Sequence, residues 1–456
     1  MPGARAPAVP MPGLRARPAD LLVLSFAGIL SGHLGRVPLV GMAGKEAPLL
    51  LTDGLVGLAV VGGAWLLLRD RRLELDGAAL LALMFAGVGA LSALMSVPRF
   101  GLTPEELLFS LAYLARWLLV FGLYLIVMNL VTPRDVERIW GWLEAAILVF
   151  AGFGILQAAF LPDFAFMVYP EARPYLDWDP QGHRLVSTFL DPNFAGMLLV
   201  AGLLIQGGRL AFGVPVAPWK PAVLALALVL TLSRSSVAAL LAGAVVILAV
   251  RAPSKKLLAA GGALAVAAVV TLPLWLPFAE AFNKLALDDP SGLHRVVQWG
   301  WALTVLQDHP VVGVGFNTYG FVHARYTFST PAPATFGLDG GLLFIAVMTG
   351  VVGLLLFSGL LWLLFRTGAR GWRCTHLPGE ARGLALGAGA LVPAVVVHSL
   401  FANTLLYIPL LHVLWILWGL AFVIAQEAAG RDEWPGADLP GGDQAPSLDP
   451  AETEAV

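Results

Sequence analysis

The feature that most constrains this chain is a series of apolar runs of about 20 residues, the length a helix needs to cross the hydrocarbon core of a bilayer. They fall at 20–41, 48–68, 76–97, 106–130, 137–161, 191–211, 219–233, 235–250, 256–277, 339–365, 381–401 and 404–425. In hydrocarbon each backbone N–H and C=O must be satisfied without water, so runs of this kind fold as helices. The chain of 456 residues is 58% hydrophobic and 13% charged, which excludes an ordinary soluble globule. Strictly alternating ten-residue segments are absent, which argues against an outer-membrane barrel. The expectation is an all-α polytopic membrane protein with about twelve transmembrane helices and a large extracytoplasmic loop containing short helices.

The stretch 219–250 reads as one long helix or as two short ones meeting at Ser233-Arg234-Ser235-Ser236. An arginine in mid-bilayer is costly, which favours two. Loop charge agrees. With twelve spans and an internal N-terminus, 18 of the 28 Lys and Arg residues lie inside, the bias expected for cytoplasmic loops. A single helix would put Arg251, Lys255 and Lys256 outside. Both termini are then cytoplasmic, and two long polar segments, 162–190 and 278–338, are extracytoplasmic. Loops as long as the second are uncommon and usually functional.

Residues 1–19 are rich in Pro, Ala and Arg and lack an apolar core, so they read as a disordered tail and not as a signal peptide. Residues 427–456, acidic and rich in Pro and Gly, read as a second one. Between them, 20–426 forms a single membrane domain. Cys374 is the one cysteine, so an intrachain disulfide framework and a cysteine-based zinc site are excluded. A net charge of −2 gives no indication of nucleic acid binding.

Within 278–338, residues 291–307 read as an amphipathic helix with Ser291 as N-cap. Leu293, Val296, Val297, Gly300, Trp301, Thr304 and Val305 recur at helical spacing, and Arg295 and Gln298 fall off that stripe. The helix is expected to lie along the membrane surface on it.

The candidate chemistry is dominated by arginines at one face. Arg184 precedes re-entry into the membrane, Arg234 sits at the helix break and Arg295 lies on the loop helix. Guanidinium groups stay charged and bind phosphate oxygens bidentately, so convergent arginines suit a diphosphate-linked lipid; the structural alternative is interface anchoring or a pair with a nearby carboxylate. Arg116 falls near the middle of its span and needs a partner or a polar cavity. Asp191-Pro192 has the form of an N-cap with proline at the first helical position, and Asn193 either caps or binds a sugar. Gly313-Val314-Gly315 with Asn317 reads as a tight turn, without the spacing of a dinucleotide fingerprint. His294, His309 and Asp339 are candidate general bases, with capping the alternative for Asp339. No zinc helix motif or clear carboxylate spacing is present, so no metal site is inferred.

In order, these pieces resemble the O-antigen ligase and O-antigen polymerase superfamily. Arg184 to Asn193 is similar to its Arg…Gly-x-Phe-x-(Asp/Asn)-Pro-Asn stretch, and Thr231-Leu232-Ser233-Arg234 to its Thr-x-Ser-Arg at a helix junction. Arg295 to Trp299 with His309 to Asn317 is similar to its Arg…Trp…Pro-x-x-Gly-x-Gly segment. Thr349 to Leu355 is similar to its Gly-x-x-Gly-Leu-Leu, and Asn403-Thr404-Leu405 also suits the pattern. The resemblance covers roughly 180–425.

It implies a metal-independent glycosyltransferase in the bacterial cytoplasmic membrane, without a cofactor. The donor would be a polyprenyl-diphosphate-linked glycan, the acceptor another repeat unit in a polymerase or lipid A–core in a ligase. Membrane lipids and a polysaccharide chain-length regulator are the further implied partners. Arg184, Asp191, Asn193, Arg234 and Asn317 are the implied donor- and glycan-binding residues, with Arg116 added for its place in mid-span, and Asp339 and Arg295 are the catalytic set, with His294 and His309 as fallback bases. Where family ligases carry His-Asn ahead of the glycine motif, this chain has Asp339-Gly340, which tilts the reading toward a polymerase. A lipid-linked oligosaccharide flippase is the alternative of another class, but internal repeats are not evident.

Overall fold

The computed structural model describes residues 18–37, 48–70, 73–168, 184–251, 290–326 and 338–432. Among them the regular structure is helical, with one isolated bridge between Val37 and Leu49. The helices are α1 (Leu22–Ser31), α2 (Leu51–Asp70), α3 (Gly77–Phe100), α4 (Pro104–Leu130), α5 (Val136–Phe160), α6 (Phe164–Val168) and α7 (Pro192–Ala211). They are followed by α8 (Trp219–Leu230), α9 (Arg234–Arg251), α10 (Pro290–Asp308), α11 (Tyr319–His323), α12 (Gly341–Arg373), α13 (Gly379–His398) and α14 (Ile408–Asp432).

Nine of the described helices are long and apolar enough to cross a membrane, and α1 and α8 are shorter apolar helices. The protein is thus all-α and polytopic. Eleven of the twelve expected spans fall on these helices; the twelfth, 256–277, lies outside the described residues, as do both tails up to Arg17 and beyond Asp432. The break in 219–250 is present: α8 stops at Leu230, Leu232 takes a left-handed φ of 51°, and α9 begins at Arg234.

Helix ends follow local chemistry. Thr103 and Glu106 form a capping box ahead of Pro104, and Asp76 caps α3 through the Ala79 amide at 2.7 Å. The hub is α14, apolar all round and almost wholly buried, as expected of a helix enclosed by others. It packs on α4 and α12, with Trp415 edge-on to Trp117, Phe121 and Tyr124. On the other side α13 packs on α7, α9 and α12. There Gly208 and Gly383 bring two backbones together: a Cβ on Gly208 would meet the Gly383 carbonyl at 2.3 Å. Close backbone approach through small residues is how helices pack when lipid supplies no hydrophobic drive.

The longest helix, α12, is broken at Gly350, whose φ is 65° and ψ −169°. Residues 310–315 run into the bundle against this break. Val351 N–H donates to Pro310 O at 2.8 Å, and Val314 and Gly315 N–H donate to Val347 O and Met348 O, each at 2.9 Å. Ser92 and Ser96 of α3 donate their hydroxyls to Val312 O and Val314 O. Thus the backbone groups freed by the kink are satisfied by the inserted segment, the condition under which irregular backbone is tolerated at membrane depth. The tight turn expected at Gly313–Asn317 is part of this re-entry, with left-handed φ at Gly313 and Asn317.

Candidate active site

Polar residues from four separate parts of the chain meet at one end of the bundle. Leu185 N–H donates to Leu230 O at 2.9 Å, which lays the segment before α7 along the end of α8. Arg184 Nε then donates to Thr231 O at 2.9 Å. Asp191 caps α7 through the Asn193 and Phe194 amides at 2.7 and 3.1 Å. Its carboxyl lies within the electrostatic reach of both Arg184 and Asp339.

At the α8–α9 break, Ser233 donates its hydroxyl to Asn193 Oδ1 at 2.8 Å, and Ser236 donates to Asn193 O at 3.1 Å. Arg234 is exposed at the first position of α9. Sequence reasoning passed over His398, at the end of α13. It is fully buried, with Nε2 3.2 Å from Ser236 Oγ and Nδ1 2.5 Å from Thr404 Oγ1. The available signal was an ionisable residue within an apolar span.

The same end holds Asp339. Gly341 N–H donates to Ala402 O at 3.1 Å and Leu342 N–H to Ser399 O at 3.3 Å, so the start of α12 sits beside the exit of α13. The cap position of α12 is Gly340, with no side-chain cap, so capping does not account for Asp339. Trp299 donates its indole N–H to Asp339 O at 2.5 Å, and Asp339 N–H donates to Gln298 Oε1 at 3.4 Å. These contacts set the rotation of α10. The expected stripe keeps Val305, which is buried, but is otherwise corrected by about one residue: Val297 is 38% exposed, while Gln298 and Ala302 are buried. Gln298 turns inward because its amide serves the backbone ahead of α12. Arg295 is three residues before Gln298, on the same helical register; its side chain and that of His294 lie outside the described set.

The other sequence-derived candidates sit in different surroundings. His309 packs edge-on to Phe100 with centroids 4.9 Å apart, and its Nε2 is 3.4 Å from the Tyr326 hydroxyl. Burial and then the nearby Arg99 charge hold its pKa below the ordinary value, against the pull of Asp308. Arg116 has a partner: its Nε donates to Asp53 Oδ1 at 2.6 Å, and Asp53 also accepts the Leu50 amide at 2.8 Å. The Nη2 of Arg116 is buried without a hydrogen bond.

Asn317 lines a cavity of about 240 Å³ together with Tyr113, Trp117, Phe194, Phe316 and Asn403. Asn403 Oδ1 is buried there without a hydrogen-bond partner. Because Phe194 follows Asn193 directly, the aromatic cavity adjoins the polar cluster. Among the described residues no group of three or more His, Cys, Asp or Glu side chains is placed to hold a metal ion.

Residues 222–358 match the family model described as O-antigen ligase. The matched region includes the α8–α9 break, α10, the re-entrant 310–315 segment, Asp339 and Gly350 and Gly353 of α12, and it supports the resemblance to the O-antigen ligase and polymerase superfamily. No curated protein matches the chain.

Proposed function

We propose that the protein is a membrane glycosyltransferase that polymerises O-antigen or exopolysaccharide repeat units from a polyprenyl-diphosphate-linked donor outside the cytoplasmic membrane. The observation that carries this reading is the meeting of Arg184, Asp191, Asn193, the Ser233–Arg234 break and Asp339 at one end of an apolar bundle. Arg184 and Arg234, with Arg295 on α10, hold the diphosphate and neutralise the charge that grows on it as the glycosidic bond breaks. The acceptor hydroxyl attacks the anomeric carbon, its proton passes to Asp339, and polyprenyl diphosphate leaves. Asn193, Asn317 and Asn403 offer amides to sugar hydroxyls, and the aromatic wall between them suits a sugar face. His294 and His309 are the alternative bases. The Asp53 pair gives Arg116 a structural role, with its unbonded Nη2 the group left over for a ligand.

The matched family's description favours a second reading, a ligase that transfers the glycan to lipid A–core. Asp339, at the position where the family pattern has histidine, favours the polymerase. Reconstitution with a polyprenyl-diphosphate-linked repeat unit, with and without lipid A–core, separates the two. Ladders without core are expected, whereas a single core-dependent transfer means a ligase. Product formation unchanged in Arg184→Ala, Arg234→Ala and Arg295→Ala would overturn the arginine site. A flippase would move the lipid-linked glycan and leave its length unchanged.

A further inference from the structure

A second cavity, of about 500 Å³, lies at the opposite end of the bundle between α12 and α14. It is lined by Arg366, Arg370 and Arg373 of α12 and by Ala425, Ala428 and Ala429 of α14. The start of α12, beside Asp339, is about 40 Å away along the chain at the rise of a helix. The arginines are spaced four and three residues apart, so they share one face. All three are exposed, and none has a hydrogen bond or ion pair among the described residues.

That distinguishes them from their neighbours. At the same end Arg209 pairs with Glu137 at 2.7 Å, Arg138 with Asp20 and Asp135 at 3.2 Å, and Lys220 with Glu144. Arg382 donates to Trp372 O at 3.1 Å. Among the described side chains, the carboxylates of the adjoining elements, Glu427 of α14 and Glu380 of α13, do not line the cavity. The small alanines leave room where a larger residue would fill the groove. One turn before Arg366, Trp362 is 58% exposed and stacks on Phe365 at 6.0 Å. Trp362 lies near the end of the apolar part of α12, where an outward tryptophan marks headgroup depth.

We propose that this groove binds the headgroup of an anionic phospholipid, with the three guanidinium groups on the phosphate and the acyl chains passing Trp362. Basic pockets between membrane helices take such headgroups, and on the charge bias of the loops this one faces the cytoplasmic leaflet. A free phosphate offers the same oxygens, but the position between two membrane helices beside an outward tryptophan favours the lipid.

Native mass spectrometry of the full-length protein, released from nanodiscs of phosphatidylcholine with or without phosphatidylglycerol, tests the inference. The expected result is selective retention of phosphatidylglycerol, weakened roughly a hundredfold in R366Q/R370Q/R373Q, about a factor of five per arginine. R370Q alone gives a smaller loss should the triple variant misfold, and a melting curve identifies that case. Equal retention of both lipids, or unchanged retention in R370Q and the triple variant, overturns the proposal. Full displacement by inorganic diphosphate at equal concentration assigns the groove to soluble phosphates and overturns the lipid reading. Retention that appears only after residues 433–456 are removed assigns it to the acidic tail and also overturns it.

Discussion

The Arg116–Asp53 pair shows what a single charge requires inside a membrane. Asp53 is 7% exposed and Arg116 17%, so removing either charge strands the other away from water. Asp53→Asn or Arg116→Met is expected to destabilise by about 3–5 kcal/mol, and the double variant by much less than the sum. Thermal unfolding in detergent measures this cycle. The partner could not be read from the sequence because it lies 63 positions away on another helix. His398 was hidden for a related reason: its two hydroxyl partners, Ser236 and Thr404, belong to different elements. His398→Ala leaves the buried Thr404 hydroxyl unpaired, while Ser236 keeps its bond to Asn193 O, at a cost of about 1–3 kcal/mol, and His398→Gln recovers part of it. Asp339, by contrast, was singled out from its position alone. Asp339→Asn is expected to lower transfer by about 10²–10⁴-fold, the usual contribution of a general base, without changing the melting temperature. Full activity in an assay of glycan transfer would remove it from that role.

Among the elements, the broken helix α12 and the segment inserted against it are the least tolerant part of the fold. A Cβ on Gly350 would lie 2.2 Å from the Val311 carbonyl carbon, at a φ that side chains rarely adopt. Gly350→Ala is therefore expected to destabilise by more than about 3 kcal/mol or to prevent recovery of folded protein. Gly152→Ala, in open space within α5, should change stability by no more than about 1 kcal/mol. Size-exclusion chromatography with melting curves compares them. Both glycine motifs stood out in the sequence, but their mutual contact did not, since it depends on how the loop folds back. The rotation of α10 differs from the expected one for the same reason. Apolar spacing alone favoured the face with Val297, while the backbone at Asp339 draws Gln298 inward.

At the level of the whole molecule, the two ends of the bundle carry different chemistry: buried hydroxyls, amides, the Asp191 cap, Arg184 and Arg234 at one, and the three arginines of α12 with the Arg209–Glu137, Arg138–Asp135 and Lys220–Glu144 pairs at the other. The expected orientation places the first outside the cytoplasm. In intact cells a membrane-impermeant thiol reagent should then spare Cys374, between α12 and α13, and label Cys374→Ser/Glu105→Cys, whose new thiol lies at the start of α4. The reverse pattern would invert the molecule and the proposed site with it.

Eleven of the apolar runs, the break at Ser233–Arg234 and the polar residues around it were legible because hydrocarbon enforces them locally. A helix must be about 20 residues long, and a charge within it must have a reason. What tertiary structure decided was which polar groups meet. Asp53 reaches Arg116, His398 reaches Ser236 and Thr404, Gln298 serves Asp339, and three arginines of α12 face the alanines of α14. All of those pairings but His398–Thr404 join residues far apart in the chain, and they follow from helix rotation and packing, which hydropathy does not encode.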